Sequence, residues 1–278
     1  HDAAGKNMRR FVVSAEGRVT EYLYDAYGAR TSAIQYGGAA YPVATLDATA
    51  VPSEAQMGAW VATQDRTRSS RTDMAYDARG QLQKTTTYAT VDAAGNGVAD
   101  AGRSITQFVY DQAGLLLKTV SARNGATVYT YDGLGRQLSV TDPLNQVTLT
   151  QYDDANARTL VTLASGLITT STFDRASRLV SVVQSSAAAA NLGETRYFYD
   201  ADSRLRMTQD PTGVRQWMLY DDAGRKVAVI DATCTRSEYA EDKSGLLTRT
   251  IIYATAVDTG KLVDAGGLPA NVQLAAIR

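Results

Sequence analysis

Tyr131-Asp132-Gly133-Leu134-Gly135-Arg136-Gln137-Leu138-Ser139-Val140-Thr141-Asp142-Pro143-Leu144-Asn145-Gln146-Val147-Thr148-Leu149-Thr150-Gln151-Tyr152 decides the fold. Leu138 and Val140, then Val147, Leu149 and Gln151, alternate with polar residues, the two-residue period of a strand. Asp142-Pro143-Leu144-Asn145 interrupts the run with turn chemistry. The second strand closes on Tyr152, and Asp153, Asp154 and Asn156 supply the next turn. Asp can accept hydrogen bonds from its own backbone two residues on, and Gly or Asn tolerates positive φ. The stretch therefore reads strand, turn, strand, turn.

Working outward, the same layout recurs. Tyr110-Asp111, Tyr131-Asp132, Tyr152-Asp153 and Phe173-Asp174 follow one another at 21-residue steps. Behind them come the turn positions Gly114, Gly135, Asn156 and Ser177. Arg136 with Leu138, Arg158 with Leu160, and Arg178 with Leu179 complete the pattern. A fixed period of this size marks a repeat architecture. Further units open at His1-Asp2, Tyr24-Asp25, Tyr76-Asp77, Tyr199-Asp200, Tyr220-Asp221 and the degenerate Glu241-Asp242. The starts are 1, 24, 76, 110, 131, 152, 173, 199, 220 and 241, and five of the nine steps are 21. The whole chain, 1–278, reads as a single array.

The long steps are insertions, at 36–71 and 88–105, with a third at 253–278. Each begins 12 residues after a unit start, at Tyr36, Tyr88 and Tyr253. A longer period also shows. Tyr24 and Glu241, Tyr36 and Tyr253, Pro52 and Pro269, Gln56 and Gln273 are each 217 apart. Within the first insertion, 51–64 is the helix candidate. Pro52 and Ser53 give N-terminal signals, and Met57, Trp60 and Val61 share one face. Residues 269–277 are expected to repeat that helix.

Composition excludes several classes. Net charge is −1, so bulk attraction to nucleic acid or anionic membrane is not expected. No apolar run reaches the length of a membrane-spanning helix. Cys234 is the single cysteine, so there is no intrachain disulfide; its plain reading is a buried thiol. His1 is the single histidine, which removes a His-based triad or zinc site. The chain opens on His1 rather than Met, and it is expected to be part of a longer polypeptide.

The recurring Tyr-Asp-x-x-Gly-Arg-x-Leu pattern resembles the Rhs (YD-repeat) family, and the resemblance covers nearly the whole chain outside the insertions. That family includes bacterial polymorphic toxins, cage components of insecticidal toxin complexes and the animal teneurins. The resemblance implies a β-hairpin strip spiralling into a hollow shell, which in toxin members encloses a cytotoxic C-terminal polypeptide. It also implies a secreted or cell-surface, bacterial-like protein. Toxin members carry a self-cleaving core with an Asp-Pro-x-Gly-like motif. Asp142-Pro143 and Asp210-Pro211-Thr212-Gly213 lack its surroundings, so no protease role is carried onto them.

Other chemical readings compete with plain ones. Asp92, Asn96 and Asp100 stand at positions 1, 5 and 9 of a calcium-loop pattern with Gly97 at position 6. Position 3 is Ala94 and no glutamate follows at 12, so the alternative is an Asx/Gly turn. The repeated aspartates read as turn caps rather than paired catalytic carboxylates. Arg66-Thr67-Arg68-Ser69-Ser70-Arg71 reads as a solvated basic loop. Repeated Tyr rings could stack sugars, or pack on the neighbouring hairpin.

The expected fold is all-β, an array of antiparallel hairpins with short helical insertions, non-enzymatic and needing no cofactor. Expected partners are the rest of its own chain, an enclosed polypeptide and other sheet edges. Three functions compete: a shell wall around a toxin or other polypeptide, an extracellular scaffold such as an adhesin, sheath or filament, and a carbohydrate-binding module. Residues 21 apart are expected to stack in columns. Tyr131, Tyr152 and Phe173 form one, Tyr199 and Tyr220 another, with Arg136, Arg158 and Arg178 alongside. The absent hydroxyl of Phe173 suggests that the ring, not the hydroxyl, matters there.

Overall fold

The computed structural model describes residues 8–46, 50–123, 125–270 and 272–277. The unit opening on His1-Asp2 lies outside the described residues. The chain divides into two compact units, residues 1–146 and 147–278.

The first unit holds β1 (Phe11–Val13), β2 (Val19–Tyr24), β3 (Arg30–Gln35), helix α1 (Glu54–Ala62), β4 (Ser70–Tyr76), β5 (Leu82–Tyr88), β6 (Ser104–Tyr110), β7 (Leu116–Val120), β8 (Ala126–Tyr131) and β9 (Gln137–Thr141). The second holds β10 (Val147–Asp153), β11 (Arg158–Thr162), β12 (Ile168–Phe173), β13 (Leu179–Ser185), β14 (Gly193–Tyr199), β15 (Leu205–Gln209), β16 (Arg215–Tyr220), β17 (Lys226–Ile230), β18 (Arg236–Glu241) and β19 (Leu247–Tyr253). Within each unit every strand pairs antiparallel with the next in sequence. The all-β hairpin array read from the alternation is the observed fold, and a strand closes at or beside each Tyr-Asp pair.

The hairpins share one irregularity. The register slips just before Tyr24, Tyr76, Tyr110, Tyr131, Phe173, Tyr199, Tyr220 and Glu241. A turn that ends on a left-handed residue adds one residue to a strand, and the strand bulges and twists there. The β10–β11 hairpin departs from this. Its left-handed residue is Ala157, at φ 49°, and a 3-10 turn, Asp154–Asn156, lengthens the loop. Asn156 was expected to take the left-handed position; instead its N–H and side-chain amide bind Asp153. With the extra residue in the loop, Tyr152 and Asp153 stay in register opposite Thr159 and Arg158.

The buried cores lie where the insertions cover the sheet. In the first unit Val19, Ile34 and Tyr36 bury against Met57 and Val61 of α1. In the second, Met207, Trp217, Leu219, Ala228 and Ile230 bury against Leu262 and Ile277 of the third insertion. Strands β7–β9 and β10–β13 carry no buried residue, only half-buried and exposed ones.

Helix α1 starts as its sequence dictates. Ser53 caps the N-terminus in a reciprocal box with Gln56, and Glu54 sits in the first turn, where the helix dipole favours an acid. Trp60 stands edge-on to Tyr36 and Tyr41, with ring centroids 5.9 and 5.7 Å away.

The 217-residue period is structural. Adding 217 to β2 gives β18 residue for residue, and adding it to β3 gives β19 short of its last residue, Tyr253. The expected second helix at 269–277 is not formed among the described residues. Pro269 bridges to Val263, and the segment ends in a 3-10 turn, Leu274–Ile277. The capping residue explains the loss. Ala270 stands where Ser53 stands in the first copy, and alanine has no side-chain acceptor for the first helical N–H groups.

Candidate functional site: the Tyr-Asp turns and the insertion anchors

Each Tyr-Asp turn is built by its aspartate. One carboxylate oxygen of Asp132 accepts the N–H groups of Leu134 and Arg136, both at 2.9 Å, and the other accepts from Arg136 Nε at 2.8 Å. Asp174 and Asp200 do the same with Arg178 and Arg204. Asp25 binds the N–H groups of Tyr27 and Ala29, and Asp77 those of Arg79 and Gln81. Asp111 binds the N–H of Leu115, and Asp221 that of Arg225. The residue three after the aspartate takes positive φ, as at Gly135 (78°), where a side chain would be strained. Ser177 and Ser203 adopt it nonetheless. Hydrogen bonding to the ionised form favours that form. The Arg136 side chain holds Asp132 below the usual carboxylate range, and the Arg178 N–H does so for Asp174.

Among the described residues no ring pair joins Tyr199 to Tyr220, although the second expected column required one. The ring pairs just described, Tyr36–Trp60 and Tyr41–Trp60, lie in the first insertion. Between hairpins the hydroxyl acts. Tyr131 donates to Leu116 O at 2.8 Å, Tyr110 to Leu82 O at 3.0 Å, Tyr199 to Leu179 O at 2.9 Å and Tyr220 to Leu205 O at 3.0 Å. Tyr76 and Tyr24 reach Arg30 O and Arg9 O in the same way. The units opening at Tyr76, Tyr110, Tyr131, Tyr199 and Tyr220 are therefore tied by a side-chain hydroxyl to the first return-strand carbonyl of the unit before them. The register places these carbonyls near the bulge, where the regular ladder is interrupted. The arginine part of the expectation has instances: the Arg178 guanidinium lies 4.9 Å from the Tyr199 ring centre, and Arg204 5.6 Å from that of Tyr220.

The insertions are held by a second device. Tyr36 donates to Glu21 Oε2 at 2.6 Å, and Tyr253 to Glu238 Oε2 at 3.2 Å. Tyr88 hydrogen-bonds Asp73. The spacing is 15 residues in all three, and these are the three tyrosines at which insertions begin. Burial, then the hydrogen bond to Glu21, pushes the Tyr36 phenol far above its usual range. Arginines close the group. Arg10 bridges Glu21 and Glu54 at 3.0 and 3.1 Å, tying β2 to the start of α1. Arg71 pairs with Asp73 at 2.7 Å and donates to Gly95 O of the second insertion. Arg236 lies 3.0 Å from Glu238, sits 4.0 Å from the Tyr253 ring centre and donates to Ile277 O at 2.6 Å. The basic run at 66–71 is thus not a solvated loop. Arg66 donates to Ala94 O and Arg71 is half-buried beneath the same insertion. Sequence reasoning missed these acids and arginines. The signal was an acid three before and a tyrosine twelve after a unit start, present in the three insertion-bearing units.

The candidate calcium residues do not converge on one point. Asp92 N–H donates to Asn96 O, Gly95 N–H to Asp92 O, and Asn96 N–H to the Asp92 carboxylate. That is the hydrogen-bond pattern of the Tyr-Asp turns. Asp100 caps a separate turn through Gly102 N–H. Gly97 is required for another reason: a Cβ there would meet the Tyr88 ring at 2.2 Å. No group of three or more His, Cys, Asp or Glu among the described residues could hold a metal ion. Cys234 is half-exposed at a left-handed turn position, φ 63°, rather than in a core. Asp210 and Asp142, which precede prolines, cap ordinary turns. No helix of the described residues is long and apolar enough to cross a membrane.

Comparison with known proteins follows the repeats. The RHS Repeat family profile matches residues 110–147 and 131–168. The crystal structure of TcdB2-TccC3 without its hypervariable C-terminal region shares the fold over 91% of this chain at a TM-score of 0.56 and 15% identity. That of TcdB2-TccC3-Cdc42 does so over 87% at a TM-score of 0.55 and 15% identity. This chain spans 15% and 14% of the length of those two chains. No curated protein matches the sequence. Residues 110–168 therefore carry RHS repeats, and the fold of the chain is similar to that of the TcdB2-TccC3 structures.

Proposed function

We propose that this chain is a wall segment of a YD-repeat shell that encloses a toxin or other polypeptide, and that its ten units form one array. The observation that carries the reading is the succession of antiparallel hairpins, most closed by an aspartate-capped turn and several tied to the hairpin before by a tyrosine hydroxyl. Such a succession extends a sheet indefinitely and builds no cleft of converging catalytic groups. Strands β10–β13 support a wall role. Their only charged residues are Asp153 and Arg158, at strand ends, so both sheet faces are uncharged there. The shared fold with TcdB2-TccC3, determined without its hypervariable C-terminal region, fits a shell that outlasts its variable contents. The segment is non-enzymatic in this reading, and the parent protein is secreted or displayed at the cell surface.

The test is made on the full-length polypeptide that carries this segment. Negative-stain images should show closed hollow particles, and limited proteolysis should spare the polypeptide's own C-terminal region until the shell is denatured. Extended filaments with a freely digested C-terminal region would instead establish the scaffold function.

A further inference from the structure

A cleft of about 470 Å³ lies over β2 and β3, within the roughly 300–1,000 Å³ of small-molecule sites. The strand registers set Phe11, Glu21, Ile34 and Arg71 in one cross-strand row, and Leu23 follows Glu21 on the same face. Leu23 and Ile34 line the cleft from the sheet. Helix α1 supplies one wall through Glu54, Gly58 and Val61, spaced four and three apart on one helix face. Residues 94–96 of the second insertion supply another.

The walls carry both signs of charge. Glu21, which is 8% exposed, and Glu54 pair with Arg10. Arg71 is taken up by Asp73, Ser32 and Gly95 O. Arg66 is the exception. Its Nη1 donates to Ala94 O at 3.1 Å, and among the described residues it has no acidic partner. Its place is nevertheless fixed. Asp65 caps the 3-10 turn Arg66–Arg68, and a Cβ on Gly95 would come within 3.0 Å of Arg66 Cδ and Nη1, so bare backbone makes its seat. A guanidinium offers five donors in a planar fork that matches a carboxylate. The two acids of the cleft oppose a multiply charged anion, whereas a ligand with one carboxylate and one ammonium meets both signs.

We propose that this cleft binds a free α-amino acid with an apolar side chain. Arg66 takes the carboxylate, the Glu54 side of the wall takes the ammonium, and Leu23, Ile34 and Val61 receive the side chain. An ionised carboxylate accepts at about four positions, so Glu54 serves Arg10 and an ammonium together. The site belongs to the first unit whether or not the array closes into a shell.

The test uses the 278-residue chain and L-leucine, followed by isothermal titration calorimetry. Saturable one-to-one binding is expected. 4-Methylpentanoate lacks the ammonium and leucinamide lacks the carboxylate. Each should bind about tenfold more weakly or worse, as the loss of a charged hydrogen bond requires. Gly58→Leu should abolish binding with the fold intact, because a Cβ at Gly58 meets nothing within 4 Å and leucine is the better helix former. Arg66→Gln should weaken the binding of L-leucine and of 4-methylpentanoate but not that of leucinamide. No saturable heat with L-leucine, equal binding of either analogue, or undiminished binding to folded Gly58→Leu or Arg66→Gln would each overturn the site.

Discussion

At the scale of single residues, the unit tyrosines Tyr76, Tyr110, Tyr131, Tyr199 and Tyr220 do two jobs, and the hydroxyl is one of them. A net intramolecular hydrogen bond stabilises by about 0.5–1.5 kcal/mol. Tyr131→Phe is therefore expected to cost about 1 kcal/mol through the lost bond to Leu116 O. Tyr131→Ala loses the half-buried ring as well and should cost about 2–3 kcal/mol. Urea unfolding of the two variants separates the contributions; a neutral Tyr131→Phe would return the role to the ring alone. The turn aspartates make a second prediction. Ionised, they accept backbone N–H groups that a protonated acid binds less well. Their folded pKa values lie below the unfolded value of about 3.9, so their stabilisation is present above that value and lost as pH falls through the lower folded ones. Melting temperature should hold from neutral pH to about pH 5 and fall steeply below about pH 4. Asp132→Asn and Asp174→Asn together should flatten that fall.

At the scale of elements, hairpins and insertions depend on different residues. Helix α1 relies on its cap: Ser53→Ala should cost about 0.5–2 kcal/mol and be read as early loss of helical signal within a β spectrum. The insertion anchors are coupled groups. Glu238→Gln leaves Arg236, which is 7% exposed, without its ionic partner. Removing one member of a buried pair destabilises by about 3–5 kcal/mol, and hydrogen exchange should show the third insertion opening before the hairpins beneath it. Much of this organisation is written in local sequence. The hairpins were legible because a strand's period is two and each turn needs its aspartate and a left-handed residue within four positions. Helix α1 was legible because Ser53 and Gln56 form a local box. The anchors were not, since Tyr36 and Glu21 meet only when β2 and β3 are paired. The hydroxyl bonds were equally hidden, because Phe173 in the tyrosine place argued for the ring.

At the scale of the whole molecule, stability is unevenly spread. The two buried clusters coincide with the insertions, and β7–β9 and β10–β13 rely on ladders, capped turns and half-buried side chains. Native-state hydrogen exchange should therefore find the strongest protection in β2, β3 and β16–β18, and weaker protection in β7–β9 and β10–β13. Uniform protection would mean that the covered and uncovered hairpins unfold as one.

The pairing of each strand with its successor has a consequence for force and for birth order. No strand in either unit waits for a partner far along the chain, so mean sequence separation between touching residues is small, which favours rapid formation. A nascent polypeptide emerging at about 5–20 residues per second would complete a 21-residue hairpin every few seconds. It could add each one to a template already made. Run backwards, tension drawn across the ladder meets its bonds in sequence rather than together. Such a succession of hairpins should peel apart in small steps about one repeat long, giving way at low force rather than in a single rupture.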